Sequence, residues 1–123
     1  MRKKVTSRGW IATVRFIAVD ERGRKRAVAA KIGTPYRIGR RDWGCPVDSG
    51  ILGRHADARG GDSFQALCLA IALVRALVED FIERGGRILD PKDRTEWPRD
   101  QLPAIFGWKL IELAPPADST LPG

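Results

Sequence analysis

The segment from about Asp62 to Arg84 constrains this chain more than any other. It opens on Asp62, whose carboxylate can accept backbone N–H bonds as an N-cap, with Gln65 three residues on able to reach back. It stops at Gly85-Gly86, because glycine tolerates the left-handed conformation that follows a last helical turn. Between these signals Phe64, Leu67, Cys68, Ile71, Val74, Val78, Phe81 and Ile82 recur at three- and four-residue spacing. That period predicts one long helix with those residues as its core stripe. Arg75, Glu79, Asp80, Glu83 and Arg84 mark the wet face. Leu69, Ala70, Leu73, Ala76 and Leu77 widen the apolar surface well beyond one stripe. Such a helix needs cover on more than one side, from the C-terminal segment or from another subunit.

A sheet supplies the first cover. Trp10 to Val19 is rich in β-branched and aromatic residues, and alternation sets Trp10, Ala12, Val14, Phe16 and Ala18 on one face. Ile11, Thr13, Arg15, Ile17 and Val19 take the other. The polar turn Asp20 to Arg24 then returns the chain into Ala27 to Ile32 as the second arm of a hairpin. Tyr36 to Gly53, rich in Gly, Pro and Arg, predicts one irregular or edge strand. Arg87 to Leu89 reads as a short strand stopped by Asp90-Pro91. Six of the eight prolines lie from Pro91 onward, so the rest is expected as turn or extended chain, with Trp108 to Glu112 as a last strand or a flap over the helix. The expected fold is α+β: an antiparallel sheet of four to five strands with one long helix packed on one face. A chain of 123 residues has room for a single domain, placed here at residues 1–113, with 114–123 expected as a disordered tail.

Charge separates the two halves. Residues 1–60 hold 15 basic and 5 acidic side chains, residues 61–123 hold 7 and 10, and the whole chain is +7. Such asymmetry suits an anionic partner, although a solvated basic face produces it equally well. Arg37, Arg40 and Arg41 interleave with Tyr36 and Trp43, the combination that binds single-stranded nucleic acid by stacking and phosphate contact. With Arg22, Arg24, Lys25 and Arg26 they form the candidate nucleic-acid-binding set. No recognised nucleic-acid-binding signature accompanies it.

Residue types that carry chemistry are sparse. His55 is the only histidine, which removes two-histidine metal sites. Cys45 and Cys68 lack C-x-x-C spacing and are expected as buried thiols in a reducing cytoplasm. Neither a Cys45–His55 nucleophile pair nor a metal set of His55, Cys45, Asp57 and Cys68 has spacing to support it. The run Arg59-Gly60-Gly61-Asp62-Ser63 puts glycine-flanked N–H groups at a helix start, where an anion can bind with Arg54 or Arg59 as clamps. Asp62 competes for the same donors, and no phosphate-loop or dinucleotide motif is present. No enzyme activity, cofactor or metal is therefore expected. The longest unbroken apolar run, Ala66 to Val74, falls far short of the ~20 residues that cross a bilayer, so no membrane partner is expected. The apolar stretch after Trp10 is broken by Arg15 and lacks a small-residue cleavage site, so export is not expected either.

The segment Trp43-x-Cys45-Pro46, the G-x-D-S-x-Q-A-L start from Gly60 to Leu67, and Gly85-Gly86-Arg87 opening a strand occur in a telling order. Together they resemble a family of small bacterial proteins of unknown function, whose D-S-x-Q-A-L helix packs on an antiparallel sheet. The resemblance spans about residues 10 to 113, and the basic N-terminal half and Pro-rich end depart from it. It implies a fold and a bacterial origin, with no catalytic residue to carry over. By size and layout some such proteins look like immunity or partner proteins. The function expected is a non-catalytic protein-interaction module, either a homodimer or a partner binder. Leu69, Leu73, Ala76 and Leu77 form its interaction face, because monomers rarely leave large apolar patches exposed. Nucleic-acid binding by the Arg-rich half is the alternative.

Overall fold

The computed structural model describes residues 9–53 and 55–107. The strand or flap expected at Trp108 to Glu112, the tail at 114–123 and Arg54 lie outside the described residues. In chain order the elements are β1 (Trp10–Val19), β2 (Lys25–Gly33), β3 (Tyr36–Gly39), β4 (Asp42–Cys45), β5 (Val47–Asp48), β6 (Ala58–Gly60), α1 (Ser63–Glu83), β7 (Arg87–Leu89) and α2 (Leu102–Ile105). Short 3-10 turns at Gly50–Leu52 and Arg99–Gln101 complete them.

Alternating apolar residues in β1 and β2 build the expected hairpin, with Val14 opposite Ala30 and Phe16 opposite Val28. Its turn is organised by one carboxylate. Asp20 accepts the N–H of Arg22 at 2.9 Å and of Arg24 at 3.0 Å, and the Arg24 Nε at 2.9 Å. The Arg24 backbone N–H is the main reason the Asp20 carboxyl titrates below its ordinary 3.8; desolvation opposes it, and the Arg22 N–H and Arg24 guanidinium add to it. A depressed carboxylate stabilises the fold above its unfolded pKa, and the contribution is lost as pH falls through the folded value. Acid unfolding of Asp20→Asn should therefore depend less on pH below 4 than that of the parent chain. An NMR titration placing Asp20 at or above 3.8 would contradict this.

Two antiparallel sheets form: four strands in the order β5-β2-β1-β7, and three in the order β3-β4-β6. The fold is α+β with α1 packed against the sheet, as expected, and β7 falls where the short strand was placed. Tyr36 to Gly53, however, supplies three strands rather than one irregular strand. Strands of two to four residues carry too little alternation to register as a pattern, and their pairing depends on distant glycines. Tyr36 lies opposite Gly44, where any Cβ would come within 2.6 Å of the tyrosine ring. A glycine that reads as loop punctuation is thus the seat of an aromatic ring.

The α1 N-terminus follows its sequence signals. Asp62 Oδ1 accepts the Gln65 N–H at 2.7 Å, and Gln65 Oε1 reaches back to accept the Gly61 N–H at 2.6 Å. The expected core stripe holds at Val74 and Val78, with Leu67, Ile71, Phe81 and Ile82 packed against the core, and is corrected at Phe64 and Cys68. The fully buried residues are Ala66, Ala70, Val74 and Val78, four apart, whereas Phe64 is 74% exposed and Cys68 is exposed as well. At 100° per residue Cys68 lies about 120° round the helix from Val74, off the buried side. Small residues win that side because the strands come close: a Cβ on Gly60 of β6 would sit 2.5 Å from the Ala66 backbone nitrogen.

Phe16, Ala18, Val28, Val78, Ile88 and Leu102 form one core cluster. Ala30, Ile32, Cys45, Ala66, Ala70 and Val74 continue it toward the second sheet. On the other face of the larger sheet Ile17, Val19 and Leu89 are buried together. The described part of the Pro-rich end, expected as turn or extended chain, also forms the short helix α2. Trp97 packs its ring 5.7 Å from that of Phe16, and α2, with proline in its first turn, sinks Leu102 into the core.

Candidate functional site

The apolar surplus on α1 stays at the surface. Leu69 is 44% exposed, Ala76 is exposed, and Leu73 and Leu77 are half-buried. Steps of four and three residues place all four on one side of α1, flanking the buried stripe. The opposite flank is different. There Ile71 and Phe106 stand between a larger and a smaller cavity that adjoin each other. The larger, of about 320 Å³, is walled by Val14, Ala30, Ile32, Ile71, Val74 and Phe106, and no ionisable residue lines it. The smaller, of about 210 Å³, lies between Cys68, Ala72, Arg75 and Gly107. Sequence reading missed this cleft. Its only linear signal was Phe106-Gly107 beside the apolar residues that follow, a pairing that becomes meaningful once α2 is seen to lie against β1 and α1.

The candidate basic residues are not brought together. Arg22, Arg24, Lys25 and Arg26 gather at the turn before and the start of β2. Arg37, Arg40 and Arg41 belong to the second sheet, beyond the end of β2. At ~3.3 Å per residue β2 separates its two ends by roughly 26 Å. Two of the seven are also engaged locally. Arg24 pairs with Asp20 at 2.9 Å, and Arg37 donates to the Gly39 and Arg40 carbonyls at 3.2 Å, holding the β3–β4 turn.

The anion-site reading at the helix start meets two occupied partners. Asp62 and Gln65 side chains already accept from the Gln65 and Gly61 N–H groups, and Arg59 pairs with Asp42 through both Nε and the terminal nitrogen. That pairing holds the Arg59 guanidinium more firmly charged and draws it across the second sheet. On the same sheet the Tyr36 hydroxyl donates to Asp57 Oδ2.

Cys45 has the environment of a structural thiol. It is fully buried, donates to the Gly33 carbonyl at 3.3 Å, and is pushed up to about 11 by burial and then by the charge of Asp57. A nucleophilic cysteine requires the opposite shift. Among the described residues no group of three or more His, Cys, Asp or Glu side chains is placed to hold a metal ion. No described helix is long and apolar enough to cross a membrane.

No curated protein and no solved structure matches the chain. A family model does, over residues 13–95, which run from within β1 through both sheets and α1 to just past β7. Containing the hairpin, the capped helix and the strand after it, the chain belongs to the family described as Domain of unknown function (DUF6968).

Proposed function

We propose that this domain is a non-catalytic interaction module that pairs with a second copy of itself through α1. The exposure of Leu69 beside Leu73, Ala76 and Leu77 carries the reading, because water-exposed leucines at helical spacing gain stability only when something covers them. The stripe suits a two-fold contact. Leu73 lies midway between Leu69 and Leu77, so antiparallel pairing of two α1 helices sets each Leu69 against the other copy's Leu77. Charge supports the choice of occupant. The chain is +7, yet the α1 segment carries Arg75 against Glu79, Asp80 and Glu83, so contact through it keeps the basic half of each copy away from the other. The two free thiols fit a reducing, cytoplasmic setting.

Analytical ultracentrifugation at tens of micromolar should give twice the 13.6 kDa chain mass, and Leu69→Glu with Leu73→Glu should return it to the monomer with helicity retained. A wild-type chain that stays monomeric at several hundred micromolar overturns the reading. Binding of random nucleic acid with a steep salt slope, abolished by charge reversal at Arg40 and Arg41, would favour the basic residues instead.

A further inference from the structure

At the turn end of the hairpin a hollow of a different character opens on the helix-facing side of the larger sheet. Two-residue periodicity sets Arg24, just before β2, and Arg26 on the side that carries Val28, and Arg26 lies opposite Ala18 of β1. The small Ala18 side chain floors a space of about 230 Å³ walled by Asp20, Arg24, Arg26, Ile51 and Phe81. It stands apart from the cleft beside Gly107: Ala12 of that cleft and Ala18 of this hollow are six residues, roughly 20 Å, apart along β1.

The apolar wall is held in place by its own turn. Leu52 packs against the core while its neighbour Ile51 stays 48% exposed. The buried Ser49 fixes that turn, its carbonyl accepting the Leu52 N–H at 3.1 Å and its hydroxyl donating to the Gly53 carbonyl. The charged wall is unbalanced. Asp20 takes the backbone N–H groups of Arg22 and Arg24 and the Arg24 Nε, which is one of the five donors of that guanidinium. Among the described residues the Arg26 side chain has no hydrogen-bond or ion-pair partner. Two cations thus face one carboxylate whose oxygens are already engaged, beside an exposed isoleucine and a half-buried ring.

That combination selects a ligand anionic at one end and apolar at the other. A guanidinium fork matches carboxylate and phosphate oxygens two at a time. A cavity of ~150 Å³ holds benzene, so this one has room for a ring and an anionic head. We propose that the hollow binds a small organic anion, a carboxylate or phosphate ester with a ring-sized apolar body. Arg26 and Arg24 hold the head, and Ile51 and Phe81 pack against the body. The proposal does not rest on self-association, because only Phe81 of these residues comes from α1.

Phenyl phosphate titrated into the full chain, followed by amide chemical shifts, tests it. Saturable shifts are expected at Ala18, Arg26, Ile51 and Phe81 in the millimolar range. Inorganic phosphate, which has the head alone, and benzyl alcohol, which has the ring alone, should each bind at least about tenfold more weakly. Arg26→Gln should weaken phenyl phosphate by about tenfold or more, with the α1 amides unchanged because Arg26 is exposed. Arg22→Gln, which removes the same charge from the same turn but outside the hollow, should change binding by less than about twofold. Equal losses in the two variants would mean a diffuse basic field and overturn the proposal. So would inorganic phosphate or benzyl alcohol binding as tightly as phenyl phosphate, or the absence of shifts at these amides up to tens of millimolar.

Discussion

Phe16→Ala should destabilise the domain by about 3–5 kcal/mol, the largest effect expected of any single truncation here. Phe16 is 1% exposed, projects from β1 into the cluster with Val28, Val78, Ile88 and Leu102, and meets the Trp97 ring at 5.7 Å. Truncation removes the ring's transfer free energy and leaves a cavity whose walls come from both hairpin strands, α1, β7 and α2. Five separate elements cannot collapse together into one space, which places the loss toward the upper end of that range. Against a typical total of about 5–15 kcal/mol, urea unfolding should shift to much lower midpoints with an unchanged slope. The near-ultraviolet circular dichroism and the helix signal should shift together to the lower midpoint. A loss below ~1.5 kcal/mol would mean that the Pro-rich end does not close over β1 as described.

How much of this was legible in the sequence depends on how local each signal is. The hairpin was, because ten β-branched and aromatic-rich residues state the length of β1, whereas burial covers both faces over Phe16 to Val19 and neither face before it. The helix ends were legible from Asp62, Gln65 and Gly85, whose roles concern only their own neighbours. The second sheet was not. Its strands are short, and what places them is a fit between distant positions, Tyr36 over Gly44 and Gly60 under Ala66, that no linear period expresses. For the same reason the basic residues read as one set. Their division follows from the length of β2 and from the second sheet beginning beyond its end, and neither is a property of the arginines. The leucine face was legible as a surplus, since α1 carries more apolar residues than one sheet contact covers.

The identity of the buried stripe turns on α1 and yields the second large effect. The three-and-four spacing selects Phe64 and Cys68, whereas the structure buries Ala66 and Ala70, both 0% exposed. A large side chain contributes more transfer free energy, but only where the partner surface leaves room. Here β6 and β4 approach the helix through Gly60 and Cys45, and methyl groups are what fit. Ala70→Leu therefore adds three carbons to a filled space, and should destabilise the domain by about 1–3 kcal/mol or more, although leucine and alanine are both good helix formers. Phe64→Ala removes a ring that is 74% exposed, and should change stability by no more than about 0.5 kcal/mol. The two substitutions separate the alternatives by opposite changes in size. If the side of α1 that carries Phe64 and Cys68 faced the sheet, Phe64→Ala would lose about 3–5 kcal/mol and Ala70→Leu would be nearly neutral. Denaturant midpoints for the pair, measured beside the parent chain, decide which side of α1 the sheets hold.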